Sequence, residues 1–281
     1  MWFLDSIASG FSTPTSESRV QYFRILIGVA CFAKFSLALL YRGWYRLERG
    51  GYTHHALQQR MGKDQADLIS ATYRPVIAIR LLASIAVTCG ISPRISALLV
   101  LGGLFYELIY EYRYNTIYIA LMVACLLPAG NLGNGFTISD QISSANTWAQ
   151  FLAVLITIDL YWNGVWLKVR SPQFMSGLLL AQFVHGAEEV KDRLPYREFF
   201  YPRALLKALD DSPAGIRKWR LSAQATIILE LAIPIALFVP QVRPWAISIG
   251  IILHTAFALL KPRGIIGFSI ATLASYILFV P

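Results

Sequence analysis

The apolar run LSAQATIILELAIPIALFVP, Leu221–Pro240, constrains the fold of this chain more than any other feature. Its length matches the about 20 residues that an α-helix needs to cross roughly 30 Å of hydrocarbon. The whole chain is 56% hydrophobic and only 15% charged, whereas about a quarter of the residues of a soluble domain are charged. The sequence therefore predicts an integral membrane protein.

About eight apolar runs of this kind divide the chain, which predicts a polytopic, all-α transmembrane helix bundle. Barrel strands would instead alternate in runs of about ten residues. No internal repeat is visible, and the polar connections are too short for a separate large domain, so residues 1–281 are predicted to form a single transmembrane domain. The predicted spans are 22–41, 76–91, 95–110, 115–128, 148–167, 221–240, 244–260 and 264–280.

Two long polar connections, 42–75 and 168–220, are predicted to contain short interfacial helices. The first has helical spacing at Leu57, Met61 and Leu68. In the second, Ser171 is a predicted helix cap and Pro172 lies in the first turn. Residues 196–211 mix aromatic, leucine and basic residues, as helices that lie on a membrane surface do. Trp2 and Phe3 are predicted to anchor a further interfacial segment, and 129–146 is a predicted loop.

The formal net charge of +9 comes from basic residues that lie mostly between the apolar runs. In that position they favour contact with anionic lipid headgroups rather than with nucleic acid, which is not expected as a partner. The expected location is the cell membrane, with several crossings. Short connections with Arg113, Lys261 and Arg263 would face one side, and those with Arg94 and Arg243 the other. Which side is cytoplasmic is left open.

Cysteine and histidine spacings give little support for a metal site, and none is predicted. Cys31, Cys89 and Cys125 each lie inside a predicted span without a neighbouring cysteine, so they are read as small buried residues. The adjacent pair His54 and His55 lacks a nearby cysteine or acidic ligand pattern.

Several ionisable residues interrupt the predicted spans, although such groups are costly in hydrocarbon. Each alone has a structural explanation, such as a snorkelling lysine, but together they predict a functional polar pocket. Asp159 is expected to pair with Arg24 or, second, with Arg80. Glu230 and His254 are expected at equal depth on neighbouring antiparallel spans, with their side chains in contact directly or through water. The set comprises Arg24, Lys34, Arg80, Glu107, Asp159, Glu230 and His254.

Lys168 at the end of the fifth predicted span has two interpretations. A lysine at a helix end is commonly a snorkelling anchor. An amine in a dry pocket can instead lose its charge and act as a base, and Trp162, Trp166 and Phe174 would make its surroundings apolar. Asp159 precedes Lys168 by about 13 Å of helical rise and points to the opposite side of the helix, so the two are not expected to pair.

The order of several motifs resembles the vitamin K-dependent gamma-carboxylase-like (HTTM) family. The segment YFRILIGVACFAKFSLAL resembles the family's opening helix, and YWNGVWLKVRSPQFMSG its lysine segment. LELAIP resembles its glutamate-bearing helix, and LHTAFALLKPRGIIGFS its late histidine helix. The residues that carry the resemblance are Phe23, Arg24, Gly28, Tyr161, Gly164, Lys168, Phe174, Gly177, Glu230, Pro234, His254 and Phe268.

The resemblance implies that Lys168 is the base that deprotonates a vitamin K-like hydroquinone. The carboxylases also have an asparagine–histidine pair at the start of the fourth span, where this chain has Asn115 and Thr116. The large lumenal domain of the animal enzymes is missing as well, and both differences argue against glutamate carboxylation. Short bacterial members help to mature a secreted toxin peptide, which implies a partner protein and a peptide substrate.

The leading hypothesis is therefore a membrane enzyme or enzyme subunit, with Lys168 and His254 as catalytic candidates. Arg24, Asp159, Glu230, Arg80, Asn115, Trp162 and Trp166 complete the predicted polar pocket. A quinone or hydroquinone is the implied cofactor, which the residues alone do not identify. The competing class is a non-enzymatic binding, transport or assembly protein whose buried charges are structural. A quinone-linked redox protein of the DoxX-like type falls between the two.

Overall fold

The computed structural model describes residues 5, 15–40, 47–136, 138, 142–143, 147–190 and 212–279. Trp2, Phe3 and the expected surface helix at 196–211 lie outside these residues. The described elements are strand β1 (Thr15–Ser16) and helices α1 (Glu17–Leu40), α2 (Tyr52–Met61), α3 (Lys63–Cys89), α4 (Pro93–Tyr110) and α5 (Tyr114–Ala124). They continue with strand β2 (Ile142–Ser143) and helices α6 (Thr147–Val169), α7 (Pro172–Met175), α8 (Leu178–Val190), α9 (Pro213–Leu237), α10 (Arg243–Leu260) and α11 (Pro262–Ser275), followed by a 3₁₀ turn, Tyr276–Leu278.

Six of these helices are long and apolar enough to cross a membrane: α1, α3, α4, α6, α9 and α10. The all-α architecture expected from the sequence is therefore confirmed in the described part of the chain, apart from the two short strands. The predicted fourth and eighth spans are shorter apolar helices, Tyr114–Ala124 and Gly264–Leu278. The 11 residues of α5 rise only about 16 Å, roughly half of the hydrocarbon thickness.

Helix α3 begins 13 residues before the predicted second span and passes through Pro75 without ending. The predicted start of the second helix at residue 76 was wrong, whereas the helical structure expected within the polar connection is present in Tyr52–Met61 and in the first turns of α3. Proline removes one backbone hydrogen bond and usually kinks a helix, but the remaining bonds can continue on both sides. The break falls at Gly62 instead, whose φ of +92° is a conformation that glycine adopts more easily than other residues.

Helix α1 lies at the centre of the bundle, packed against both α3 and α11. The contacts with both helices are close enough to require glycine. A Cβ atom on Gly28 would lie 2.7 Å from the backbone nitrogen of Thr88 in α3, and one on Gly267 would lie 2.7 Å from the carbonyl oxygen of Ala30. Small residues of this kind let helix backbones approach closely, which is how helices associate where hydrophobic contrast is weak.

The connections contain a helix cap that the sequence predicted and a short strand pair that it did not. The Ser171 hydroxyl accepts a hydrogen bond from the Phe174 backbone nitrogen at 3.2 Å, so the predicted cap of α7 is confirmed. In the region predicted as a loop, Ile142–Ser143 forms an antiparallel pair with Thr15–Ser16. This pairing brings the start of α1 next to the connection that precedes α6.

The three cysteines of the predicted spans and the pair His54 and His55 of the first connection do not form a metal site with one another. Cys31 and Cys125 are buried and Cys89 is partly buried, all three as free thiols. His54 is buried, and its Nε2 lies 2.8 Å from a carboxylate oxygen of Asp67, which joins α2 to α3. His55 is exposed. Within the described ranges, no group of three His, Cys, Asp or Glu side chains could hold a metal ion.

Candidate functional site

An ion pair between Lys168 and Glu230 joins α6 to α9. The Lys168 ammonium donates to a carboxylate oxygen of Glu230. Lys168 lies in the last turn of α6, and its side chain keeps 25% of its surface exposed, whereas the Glu230 side chain keeps 6%. The amine is therefore reachable from the end of the bundle, while its carboxylate partner lies inside.

Gly164, one turn before Lys168 on the same face of α6, borders this pair. A Cβ atom at Gly164 would lie 3.6 Å from the Lys168 amine and 3.7 Å from the Glu230 carboxylate. A larger side chain at this position would project towards both charged groups. The absence of a side chain at Gly164 therefore leaves open the space beside the ion pair.

Two phenylalanine rings, and not the predicted tryptophans, surround the Lys168 amine. The amine lies 5.8 Å from the centre of the Phe174 ring and 6.0 Å from that of Phe257, within the range of cation–π attraction. Trp162 and Trp166 are 38% and 55% exposed, and neither is among the rings near the Lys168 amine in the described part of the chain. The expectation that they line the site was wrong, because the inward face of α6 carries Tyr161, Gly164 and Lys168.

His254 of α10 is buried beside the ion pair in a chain of hydrogen-bonding groups. Its Nε2 lies 2.7 Å from the Tyr161 hydroxyl, which also bonds to the Tyr276 hydroxyl. Its Nδ1 lies 3.3 Å from the Ser269 hydroxyl. The Phe257 ring contacts both the Lys168 amine and, at 5.9 Å between ring centres, the His254 ring. Lys168 and His254 therefore belong to one cluster on α6, α9 and α10.

Glu230 and His254, which were predicted to be in contact, are connected only through other residues in the described part of the chain. Helices α9 and α10 pack against each other, as predicted from the short connection between them. No hydrogen bond joins the two side chains within the described residues, because Glu230 bonds to Lys168 and His254 bonds to Tyr161 and Ser269. Both are linked through α6, which supplies Lys168 and Tyr161.

The prediction that Asp159 pairs with Arg24 or Arg80 was wrong. Asp159 is exposed on the outer face of α6. Arg24 instead donates to three backbone carbonyls, those of Val87, Thr88 and Gly135, at 2.6, 3.0 and 2.8 Å. A guanidinium group carries five N–H donors, so backbone carbonyls can engage it without a carboxylate. Arg24 therefore joins the end of α3 to the connection between α5 and α6, outside the Lys168 cluster.

Arg80 belongs to a second polar cluster, centred on Glu107 of α4. One carboxylate oxygen of Glu107 accepts from Arg80 at 2.9 Å, and the other accepts from Lys34 at 2.6 Å and from Thr116 at 2.9 Å. Arg80 is 1% exposed and also lies 4.8 Å from the Phe35 ring centre. Lys34, Arg80 and Glu107 were expected to belong to one polar pocket with Asp159, Glu230 and His254, but they form a separate cluster with Thr116.

Asn115 lies near this second cluster rather than beside Lys168. Its side-chain amide donates to the carbonyl oxygen of Gly264 at 3.1 Å, which ties the start of α5 to the start of α11. The neighbouring Thr116 is buried and bonds to both Lys34 and Glu107. Thr116, at the position where the carboxylases have a histidine, therefore has a structural role in this chain.

The fold and the two clusters define a helical bundle with membrane-length helices and two sets of charged side chains between them. No protein-family model matches the chain, and neither curated proteins nor solved structures give a match. The resemblance to the vitamin K-dependent gamma-carboxylase-like family therefore depends on the sequence motifs. Most of the later motif residues lie in or next to the Lys168 cluster: Tyr161, Gly164, Lys168, Phe174, Glu230, His254 and Phe268.

Proposed function

We propose that this chain is a multi-pass membrane enzyme, or the membrane subunit of one, and that Lys168 is its base. The observation that carries the proposal is the convergence of Lys168, Glu230 and His254 from three helices, under the rings of Phe174 and Phe257. A structural ion pair needs only one partner for each charge. A buried histidine and a tyrosine hydroxyl in the same cluster add groups that can pass on a proton.

The ion pair can generate a neutral amine. When a bound substrate covers the exposed side of Lys168 and excludes water, the ammonium can transfer its proton to the Glu230 carboxylate, which leaves an amine and a carboxylic acid. The amine then takes the hydroxyl proton of a bound hydroquinone, giving the hydroquinone monoanion and restoring the ammonium. Lys168 would contact the substrate. Glu230 accepts the Lys168 proton, because an amine that keeps this proton cannot act as a base.

His254 and Tyr161 extend this pair into the bundle. Neutral histidine has one ring nitrogen that donates and one that accepts, so it can pass a proton between the Tyr161 hydroxyl and the Ser269 hydroxyl. The Tyr161 hydroxyl is itself shared with Tyr276. Since His254 is 2% exposed, its contribution is to relay or hold a proton behind the pair rather than to contact bulk water.

A quinone or hydroquinone suits the chemistry of this site. Its flat ring matches the two phenylalanine rings, and its oxygen atoms match an amine and a carboxylic acid. Such a molecule would arrive from the bilayer, and the exposed Trp162 and Trp166 on the outer face of α6 are typical of the membrane interface. We place the chain in the cell membrane with eight crossings, of which those by α5 and α11 are short.

The reaction beyond deprotonation is proposed from the motif resemblance, and glutamate carboxylation is not part of it. Thr116 stands where the carboxylases have a histidine, and it is engaged with Glu107. The short bacterial members that the chain resembles act with a partner protein on a secreted peptide. Maturation of a peptide is accordingly the proposed role, with the hydroquinone anion as the reactive species.

The alternative is a non-enzymatic binding, transport or assembly protein. It is favoured by the fact that Lys168 and Glu230 already neutralise each other as an ion pair. In that case Lys168 would be an anchor whose positive charge is all that matters. The two functions differ in what an arginine at position 168 does, because arginine keeps the charge and stays protonated.

The test uses the purified full chain in lipid nanodiscs without oxygen, titrated with a short-chain naphthohydroquinone. Binding is followed by quenching of tryptophan fluorescence, and deprotonation by the long-wavelength absorption of the hydroquinone anion. We expect the native chain to bind and to form the anion at a pH at which the free hydroquinone is neutral. Lys168→Arg should still bind but form at least about a hundredfold less anion, as expected when a positioned base is lost.

Lys261→Arg is the matched control, since Lys261 also follows a membrane-length helix and lies 5.5 Å from a phenylalanine ring centre, that of Phe183. It should bind and deprotonate like the native chain. Normal anion formation by Lys168→Arg would show that Lys168 is an anchor. Binding without anion formation by the native chain would favour the non-enzymatic function, and no binding at all would exclude the quinone.

A further inference from the structure

The second polar cluster has one more positive charge than negative charge. Lys34 and Arg80 share the single carboxylate of Glu107. Arg113, in the connection between α4 and α5, pairs with Glu111. Three cations and two carboxylates therefore lie together at one end of the bundle. An unbalanced charge in a poorly hydrated place is costly unless an anion completes it.

A cavity of about 70 Å³ lies beside these five charged residues, between α1, α2, α3 and α4. The hydroxyl-bearing side chains of Thr53, Tyr73 and Tyr110 also line it, together with Ala38 and Leu47. The Lys34 ammonium has three N–H groups, and its hydrogen bonds in the described part of the chain reach only Glu107 and Thr116. The cavity is therefore bordered by a cation with a donor to spare.

A second cavity of about 340 Å³ adjoins the first, since both are lined by Leu47 and Tyr73. Its charged residues are Arg49, Arg74 and Glu48. Arg74 pairs with Glu48, and Arg49 lies 3.8 Å from Asp67, so each arginine has a carboxylate beside it. The wider cavity also has room for an organic substituent attached to a small anionic group.

We propose that the 70 Å³ cavity, between Lys34, Arg80 and Arg113, binds the phosphate group of a phosphate ester or of free phosphate. A tetrahedral phosphate has enough acceptor oxygens for a lysine, an arginine and neighbouring hydroxyl groups at once. Its negative charge balances the excess positive charge of the cluster. This site lies among α1 to α4 and does not depend on the proposed role of Lys168.

The glycine at position 103 supports a built site rather than an accidental gap. A Cβ atom there would lie 2.2 Å from Cγ and 2.3 Å from Cδ of Arg80, so only glycine lets the Arg80 side chain run along α4 to Glu107. Arg80 also donates to the Gly103 carbonyl oxygen at 3.2 Å. Helix α4 is thus shaped to hold a buried guanidinium at the floor of the cavity.

The experiment measures the melting temperature of the full chain in a neutral detergent with two probes. One probe is inorganic phosphate, compared with chloride at equal ionic strength. The other is phosphatidylglycerol in mixed micelles, compared with phosphatidylcholine. Saturable stabilisation by phosphate identifies a soluble oxyanion ligand, and stabilisation by phosphatidylglycerol alone identifies a lipid headgroup. No stabilisation by either probe, relative to its comparison, overturns the proposal.

Two variants locate the effect. Lys34→Gln should weaken the probe's affinity by about tenfold or more, because a charge-assisted donor is lost. Thr53→Asp places a carboxylate in the cavity and should abolish the stabilisation by the probe while keeping the fold. Its control is Tyr52→Asp, one residue earlier in the same first turn of α2 but 90% exposed, which should respond like the native chain. A Thr53→Asp variant that responds to the probe like the native chain overturns the assignment to this cavity.

Discussion

Lys168 and Glu230 form their ion pair with unequal exposure, 25% for the lysine side chain and 6% for the glutamate side chain. The pair therefore has an outer member that can reach the end of the bundle and an inner member that cannot. Because of this asymmetry, removing the lysine and removing the glutamate should change the free energy of unfolding by different amounts. The pair also differs from a surface salt bridge, which commonly contributes less than about 1 kcal/mol to stability.

The exposure difference predicts unequal costs for removing the two charges. Lys168→Met leaves the Glu230 carboxylate buried without a counter-ion and should lower the free energy of unfolding by about 3 kcal/mol. Glu230→Gln should cost less, about 1 kcal/mol, because the Lys168 ammonium can turn towards water. Unfolding titrations with sodium dodecyl sulfate would measure both, and the double variant should recover part of the Lys168→Met loss. Equal costs for the two single variants would contradict the asymmetry.

The Glu107 cluster should be more sensitive still. Glu107→Gln leaves both Lys34 and Arg80 without their shared carboxylate, so we expect a loss of about 3–5 kcal/mol in the free energy of unfolding. Glu111→Gln is the matched control, because that carboxylate is 29% exposed and contacts the partly exposed Arg113. The control should lose no more than about 1 kcal/mol. A similar loss in both variants would show that the Glu107 cluster is not a stabilising centre.

Two adjacent glycines of α4 should respond oppositely to alanine. Gly103→Ala places a Cβ atom 2.2 Å from the Arg80 side chain and should destabilise the protein by about 1–3 kcal/mol. A Cβ atom on Gly102 meets nothing within 4 Å, so Gly102→Ala should be neutral or slightly stabilising, since alanine favours the helix. Melting temperatures of the two variants test this, and a stable Gly103→Ala protein would require a different course for Arg80.

Asp159 should be dispensable for stability. It is exposed on α6, and neither of the arginines proposed as its partners contacts it. Asp159→Asn is therefore expected to change the free energy of unfolding by less than about 0.5 kcal/mol, the usual range for an exposed substitution. A loss as large as that of Glu230→Gln, measured in the same titration, would reveal a partner for Asp159 in the membrane or in another chain.

The sequence by itself determined the class of fold and the helices on which Lys168, Glu230 and His254 lie. Apolar runs of membrane length can form only helices in lipid, because every backbone polar group must be bonded within its own segment. Lys168 could be placed at a helix end next to Phe174 because Ser171 and Pro172 mark the next helix start. Glu230 and His254 could be placed on neighbouring helices because a short connection allows only an antiparallel arrangement.

Only the tertiary structure decided which charge meets which. Arg24 or, second, Arg80 was predicted as the partner of Asp159, whereas Arg24 bonds to backbone carbonyls and Arg80 bonds to Glu107. The pairing of Lys168 with Glu230 was not predicted either. The reason is physical: in a membrane helix the faces towards lipid and towards other helices are both apolar, so composition does not reveal how each helix is rotated. That rotation, fixed by close contacts such as those of Gly28, Gly103 and Gly267, sets the partner of every buried charge.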